Sequence, residues 1–289
     1  DLQGTYTNKT ITPLQRPVDQ VDKEFLTEEE IARLEQERLD RNERLLQASA
    51  RKTVVGGNVG AYNNFWMERG TTIIPTRRTS LIVDPPDGQL PAYTPEGEAR
   101  MVVREDARRR NAGPEDRDVD ERCILGFNSG PPMLPGAYNK MMQLFQVPGY
   151  VVILNEMVND VRLIAMDGRP TLPSQMQQWK GDSRGRWEGE TLVVETRNFR
   201  NLGTAHPAPN MERLEALGED LHLTERFSRI GADTLLYRFT VNDPTAFVTP
   251  WSAELTMTKT DSVVYEYACH EGNYGLFNIL AGAQAESRR

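Results

Sequence analysis

Three segments of alternating polar and apolar residues predict that this chain folds mainly as antiparallel β-strands. In the segment 178–199, Leu192, Val194 and Thr196 fall on one side of an extended strand, and the residues between them fall on the other. The same alternation returns in the segments 220–241 and 251–271. We therefore expect an antiparallel β-barrel of the lipocalin or calycin type, with an N-terminal helix and long decorated loops.

The whole chain is expected to form a single domain, 1–289, because β-barrels of this length often form one unit. The segment 1–50 is predicted to be an extended lead-in followed by a helix, and 51–289 to be the barrel. Within the barrel, the segment at about 94–122 is dense in charge and poor in apolar residues. This composition indicates a helical or irregular excursion on the surface.

The N-terminal helix is predicted from its start signals. Thr27 is a good N-cap, Glu30 completes a capping box with it, and Leu26 and Ile31 occupy the positions of a hydrophobic staple. The helix is mostly charged and carries only a thin apolar stripe. We expect a solvated helix that lies across the body; the alternative is an arm that binds a second subunit and forms a homo-oligomer.

The apolar runs later in the chain predict two β-hairpins. The segments 150–157 and 161–168 are joined by a short polar turn, and 220–230 is followed by 234–244 across a turn at 231–233. In the second hairpin Leu223 and Phe227 lie on one face, and His222, Arg226 and Arg238 lie on the polar face.

The candidate ligand-binding residues come from turns and loops rich in aromatic residues, asparagine and arginine. The guanidinium fork of arginine suits carboxylates or the hydroxyl rows of sugars. For Arg184 and Arg186 the alternative is that they pair with Asp182 and Glu188 across a turn. The candidate substrate-binding residues are Tyr62, Trp66, Arg77, Arg78, Tyr138, Asn155, Asp182, Arg184, Arg186 and Tyr274.

The three histidines are the candidates for proton transfer, because imidazole titrates near neutral pH. His206 lies in a proline-rich loop and is expected to be a surface residue. His222 lies on the polar face of a strand, where a hydrogen-bonded strand residue is the alternative. His270 follows a predicted strand that carries Tyr265 and Tyr267, and it enters a Gly-Asn-Tyr-Gly turn. The candidate catalytic residues are His270, His222, Glu271 and Glu156.

Composition excludes several classes of partner. The net charge is −8, with 42 acidic and 34 basic residues, which argues against nucleic acid. No apolar run approaches the roughly 20 residues that span a bilayer, so no membrane span is expected. We also expect no metal and no cofactor, because metal-ligand spacings, a GxSxG turn and a phosphate-binding loop are all missing. The expected ligand is a small molecule or an oligosaccharide.

Two cysteines, Cys123 and Cys269, stand far apart and form no CxxC motif. Either they form a disulfide, or they are two unrelated buried thiols. The chain begins at Asp1 without a methionine, which is the pattern that removal of a signal peptide leaves. We therefore expect an exported protein, periplasmic or secreted.

Longer motifs support the expectation of export. WKGDSRGRWEGETLVVETRNF, ERFSRIGADTLLYRFTVNDP and YEYACHEGNYGLFNILAGA closely resemble a family of exported bacterial proteins from environmental proteobacteria and acidobacteria. The resemblance covers nearly the whole chain, including DLQGTYTNKTITPLQRP at the start and PTRRTSLIVDPPDG. It implies export behind a cleaved signal, which strengthens the disulfide prediction, and it implies no particular activity or catalytic residue.

Two function classes stay open. The first and favoured one is an exported enzyme that uses acid–base chemistry, a lyase, hydrolase or isomerase, on a small organic or carbohydrate-derived substrate. The second is a non-catalytic, lipocalin-like carrier of an apolar small molecule. The direction of the polar strand faces discriminates between them, because these faces line the lumen in the enzyme and meet solvent in the carrier. The residues concerned are Glu195, Arg197, His222, Arg226 and Arg238.

Overall fold

A closed β-barrel dominates the structure, a computed structural model that describes residues 1–47, 67, 69–136, 138–200 and 216–286. Within these residues the chain forms ten strands and three α-helices. The strands are β1 (Gly4–Thr7), β2 (Ile82–Asp84), β3 (Met141–Val147), β4 (Tyr150–Asn155), β5 (Asp160–Ala165), β6 (Asp182–Glu188), β7 (Thr191–Arg197), β8 (His222–Gly231), β9 (Thr234–Asn242) and β10 (Trp251–Lys259). The helices are α1 (Glu28–Gln47), α2 (Pro95–Arg110) and α3 (Tyr274–Glu286).

Nine of the ten described strands form the ring of the barrel. Their hydrogen-bonded order is β1, β3, β4, β5, β6, β7, β8, β9 and β10, and β10 pairs again with β1 to close the ring. The pairing of β1 with β10 involves Thr258 and Lys259, whereas β2 pairs with the other end of β10. The mainly β fold and the barrel predicted from the sequence are therefore confirmed.

One neighbouring pair of strands is parallel, so the prediction of a purely antiparallel barrel is wrong. β5 and β6 meet in parallel through Ala165 and Arg184. A tight hairpin reverses the direction of a chain, whereas a parallel neighbour requires a long crossover connection. The segment 166–181 supplies that connection. Because it is long and irregular, its sequence does not indicate beside which strand β6 will lie.

Buried side chains fill the lumen of the barrel. Strand alternation turns Leu223 and Phe227 of β8, Phe239 of β9 and Trp251 of β10 inward, all with 0% of their surface exposed. The alternating polar residues lie on the outside, and they include Glu195, Arg197, His222, Arg226 and Arg238. The arrangement that the enzyme hypothesis required, with these polar faces in the lumen, is therefore not the one observed.

A sealed polar network interrupts this apolar core. The Arg162 guanidinium binds the Glu225 carboxylate with both terminal nitrogens, and its Nε donates to Ser183 Oγ at 3.0 Å. The hydroxyls of Ser183 and Thr196 lie 3.0 Å apart, and Thr196 Oγ1 also accepts a 2.7 Å bond from Arg162. Arg162 is 5% exposed and Glu225 is 0% exposed. Buried charges persist only when they are paired and hydrogen-bonded, as this pair is.

Tyr237 completes the network from β9. Its hydroxyl donates to Glu225 Oε1 at 2.7 Å and accepts the Met133 N–H at 3.1 Å. Burial, together with the Glu225 carboxylate, raises the pKa of Tyr237 well above its ordinary value, so the hydroxyl stays protonated and donates. Burial alone would lower the pKa of Arg162, but the Glu225 carboxylate outweighs it and raises that pKa.

α1 begins with the predicted capping box. The Thr27 N–H donates to Glu30 Oε2 at 2.8 Å, and the Glu30 N–H donates to Thr27 Oγ1 at 3.3 Å. Lys23 binds the same glutamate at 2.5 Å. Glu35 fixes the middle of the helix, since its Oε1 accepts the Ile73 N–H at 2.9 Å. No residue of α1 is buried, so the helix lies on the surface as expected.

α2 lies in the charged segment at 94–122. Thr94 caps its N-terminus through a 3.0 Å bond from the Gly97 N–H, and Asn111 ends it in the left-handed region at φ 49°. Arg108, near its C-terminus, pairs at 2.9 Å with the buried carboxylate of Asp118. Among the described residues, no helix combines the length and the hydrophobicity that crossing a membrane requires.

The C-terminal segment leaves the barrel earlier than the alternation predicted. β10 ends at Lys259, and the predicted strand that carries Tyr265 and Tyr267 does not form. Side chains take the place of a strand partner: the Tyr265 N–H donates to Glu156 Oε1 at 3.0 Å, and the Tyr267 N–H donates to Asn159 Oδ1 at 3.2 Å. Sequence alternation alone does not distinguish such an extended segment from a paired strand.

A disulfide fixes the C-terminal segment to the loop before β3. Cys123 and Cys269 are bonded, with their Cα atoms 5.7 Å apart, so the predicted pairing is confirmed. Asn273 supports this junction, because its Nδ2 donates to the Glu121 carbonyl at 2.8 Å. α3 follows and has no buried residue.

Candidate ligand-binding cleft

His222 lies on the outer face of β8 between a base and an acid. Its Nδ1 is 3.5 Å from Arg197 Nη2, and its Nε2 is 3.8 Å from Glu195 Oε2. Burial and the positive charge of Arg197 lower the pKa of His222, and Glu195 offsets part of this effect. The imidazole is therefore neutral near neutral pH. Its environment is the hydrogen-bonded strand position that was the alternative to a catalytic role.

His270 and Glu271 lie on the exposed C-terminal segment just after the disulfide. The carbonyl of His270 accepts the Asn273 N–H at 3.4 Å, and Tyr274 is 73% exposed at the start of α3. Glu156 is 2% exposed and binds the main chain of Tyr265 instead. In the described residues, no hydrogen bond joins Glu156 to His270 or Glu271, so the structure does not assemble these candidates into one site.

Asp182, Arg184 and Arg186 form ion pairs within the sheet. Arg184 binds Asp182 at 2.5 Å and donates twice to the Pro170 carbonyl, at 3.0 and 3.1 Å. Arg186 binds Glu188 at 2.8 Å and Glu195 at 2.7 Å. Both arginines thus pair with the acids named in the alternative, but they do so along strand β6 and not across a turn.

Asn155 ends strand β4, and Tyr138 lies in the segment before β3. Asn155 is 6% exposed, and its Nδ2 donates to the Ser129 carbonyl at 3.1 Å. With Asn8 and Asn128 it lines a cavity of about 10 Å³. This volume is close to that of one water-sized probe, so it suits a single water and no organic ligand. The Tyr138 ring packs 6.4 Å from the Tyr267 ring.

The predicted aromatic candidates Tyr62 and Trp66, and also His206, lie outside the described residues. Arg77 and Arg78 are described. Arg77 adopts a left-handed backbone at φ 61°, and its guanidinium lies 3.8 Å from Glu28. Arg78 binds Glu24 at 2.9 Å and Glu254 at 3.5 Å, so two carboxylates already neutralise it.

A cleft of about 710 Å³ opens beside the barrel, beneath α1, and we call it the α1 cleft. Its walls are the irregular lead-in at 10–20, one face of α1, residues 67 and 69–79, and residues 135, 136 and 140. Its apolar lining includes Ile11, Pro13, Pro17, Leu26, Leu34, Leu45, Met67, Ile73 and Pro135.

Local hydrogen bonds build the floor of the α1 cleft. The Ile11 N–H donates to the Thr72 carbonyl at 2.9 Å, and the Ile74 N–H donates to Thr12 Oγ1 at 3.1 Å. The two segments meet so closely at Gly70 that a Cβ atom there would lie 2.6 Å from the Thr10 carbonyl oxygen. Glycine is the residue that allows this approach of two main chains.

One face of α1 forms the roof of the cleft. Leu34, Arg38, Arg41 and Leu45 all line it, and their spacing of three or four residues places them on one side of the helix. The two leucines bracket the two arginines over about 16 Å of helix length. The roof of the cleft is therefore apolar at both ends and positively charged in the middle.

The charge of the α1 cleft is opposite to that of the whole chain. Among its described lining residues five are basic and one is acidic: Arg38, Arg41, Arg69, Arg78 and Lys140 against Glu37. Partial burial, followed by repulsion from Arg41 and Arg69, lowers the pKa of Arg38. Partial burial and Arg41 likewise lower the pKa of Arg69. The cleft thus concentrates cations that repel one another.

The sequence analysis did not predict this cleft, and of its candidate residues only Arg78 is among the described lining residues. The available signal was the thin apolar stripe of α1, in which Leu34 and Leu45 flank two arginines on the same helix face. The positions of the segments at 10–13 and 69–74 carried no such signal, because both are irregular. Comparisons with known proteins add nothing to this site: no family model matches the sequence, and no curated protein is significantly similar to it.

Proposed function

We propose that this protein binds a small organic molecule in the α1 cleft. The supporting observation is the cleft itself, about 710 Å³ in volume, whose described lining combines apolar side chains with six charged ones. Ligand sites commonly have volumes of about 300–1,000 Å³. In the described residues the lumen is packed with side chains, so we place the ligand beside the barrel.

This proposal keeps the carrier hypothesis but moves the binding site from the barrel to the α1 cleft. A lipocalin-like carrier holds its ligand in the open mouth of the barrel, whereas here the ligand lies under α1. Export to the periplasm or the medium is supported by the Cys123–Cys269 disulfide, because such bonds persist in oxidising compartments. An oligosaccharide ligand and a homo-oligomer through α1 stay predictions.

The acid–base enzyme also stays a prediction. Neither His222 nor His270 is among the described residues that line the α1 cleft. Incubation of the protein with each compound that it binds, followed by mass spectrometry of the mixture, tests for turnover. Conversion that is lost in His222→Gln or His270→Ala would replace the binding function by the enzyme.

Titration with the fluorescent probe 1-anilinonaphthalene-8-sulfonate tests the proposed site. We expect saturable binding to the wild-type protein and an affinity at least about tenfold lower in Leu34→Glu, which places a charge in the apolar lining. Leu39→Glu is the matched control, because Leu39 lies on the same helix, is 47% exposed and is not a lining residue. Equal weakening by both variants, or no saturable binding, would contradict the proposal.

A further inference from the structure

Basic side chains outnumber acidic ones in the described lining of the α1 cleft. The chain as a whole has a net charge of −8, so a cleft with an excess of basic lining residues is a local reversal. The nearby acids are engaged elsewhere: Glu30 binds Lys23 at 2.5 Å, Glu35 accepts the Ile73 N–H at 2.9 Å, and Glu37 binds Arg33 at 2.9 Å.

Arg38 and Arg41 are the centre of this charge. They stand three residues apart on α1 and face the cleft, and in the described part of the chain no carboxylate forms an ion pair with either of them. Arg78 differs, because Glu24 and Glu254 both bind it. Two guanidinium groups on one helix face can donate to the two oxygens of a ligand carboxylate.

The apolar lining defines the rest of the ligand. Leu34 and Leu45 lie one to each side of the arginines along α1, and Ile11 and Ile73 lie in the opposite walls. A ligand whose charge contacts the arginines therefore places its body against apolar surface.

We propose that the ligand of the α1 cleft is an organic carboxylate with an apolar body, bound through Arg38 and Arg41. This inference rests on the proposed function, since it assigns a chemical class to the ligand of the same cleft. Arg38, Arg41 and Arg69 all line the cleft, so a bound anion offsets the repulsion that, after partial burial, lowers the pKa of Arg38 and Arg69.

Isothermal titration calorimetry with two matched probes tests the inference. The probes are 2-naphthoate and its neutral amide, 2-naphthamide, which share one apolar body and differ in charge. We expect the wild-type protein to bind 2-naphthoate at least about tenfold more tightly, because charged hydrogen bonds exceed neutral ones by about 1.4 kcal/mol or more. Arg38→Gln and Arg41→Gln are expected to lose most of this preference while still binding the amide.

Arg44→Gln is the matched control, because Arg44 lies on the same helix and is not among the described lining residues. It is expected to keep the preference, and an equal loss in Arg44→Gln would overturn the inference by showing a diffuse effect of surface charge. Equal affinity of the wild-type protein for both probes would overturn the carboxylate and leave the binding function standing. Binding of neither probe, together with no saturable binding of the fluorescent probe, would overturn both proposals.

Discussion

We predict that removing both charges of the buried Arg162–Glu225 pair destabilises the protein less than removing the arginine alone. Replacing Arg162 with methionine leaves the Glu225 carboxylate at 0% exposure without its cation. Breaking a buried pair in this way costs about 3–5 kcal/mol. Ser183 and Thr196 add little to this cost, because their hydroxyls lie 3.0 Å apart and still bind each other. For a chain of this size we expect the melting temperature to fall by about 10 °C.

The double variant Arg162→Met/Glu225→Leu is expected to be more stable than Arg162→Met alone. Removing both charges leaves no ion in this network, and the principal remaining defect is the Tyr237 hydroxyl, which loses the acceptor at 2.7 Å. An unsatisfied buried hydroxyl costs about 1–3 kcal/mol. The second substitution should therefore restore part of the stability that the first removes.

Equilibrium unfolding in urea, with the disulfide intact, measures both variants against the wild-type protein. Tryptophan fluorescence follows the transition, because Trp251 is fully buried in the lumen. A double variant as unstable as, or less stable than, Arg162→Met would refute the reasoning. A loss below about 1 kcal/mol in Arg162→Met would do the same, since it would show that Glu225 is not held as a buried charge.

Three further predictions concern the tail, a histidine and the cleft floor. Cys123→Ser/Cys269→Ser should speed amide hydrogen exchange in 260–286. Loop entropy assigns roughly 5 kcal/mol to a disulfide across a 146-residue separation. The double variant should lose less stability than this, because no residue of 260–286 is buried. Because the pKa of His222 is lowered in the folded protein, its contribution to stability is complete above the ordinary pKa of 6.5 and is lost as pH falls through the folded-state pKa. The melting temperature of His222→Gln should therefore depend less on pH over that range. Gly70→Ala should lower stability by about 1–3 kcal/mol and weaken binding of the fluorescent probe, because the new methyl group meets main chain at 2.6 Å.

Each of these predictions has a result that contradicts it. For the disulfide, it is faster exchange throughout the barrel strands, with the tail no more affected than they are. For His222, it is an unchanged slope of melting temperature against pH in the glutamine variant. For Gly70, it is an alanine variant with wild-type stability and wild-type probe affinity, measured beside Gly282→Ala, since Gly282 has open space around it.

Local sequence signals predicted those parts of the fold that local interactions determine. The capping box of Thr27 and Glu30 forms as expected, and so does the hairpin of β8 and β9, because a short turn fixes its register. The parallel contact at Ala165 was not predictable, since it depends on the path of a long irregular connection. The segment after Lys259 alternates like a strand but finds side-chain acceptors in place of a neighbouring strand.

The cleft was harder to predict than the barrel for the same physical reason. Arg38 and Arg41 are separated in sequence from Ile11 and Ile73, and irregular segments bring them together. Sequence analysis instead weighed arginines beside aromatic residues and turns, and three of these are bound in ion pairs: Arg78, Arg184 and Arg186. Side-chain type and neighbours in sequence indicate which groups can bind a ligand. Whether an arginine keeps its charge for a ligand depends on which carboxylates the fold places beside it.

The closure of the barrel through β1 sets an order for its assembly. β1 lies at residues 4–7 and its two neighbours in the ring are β3 and β10, so a strand made early in synthesis must wait for one that ends at residue 259. Contacts of such long sequence separation form slowly. Until β10 arrives, β1 and β9 are the open edges of the unclosed sheet, and an exposed edge can pair with another chain. The nascent protein is therefore most vulnerable to aggregation just before its last strand is released.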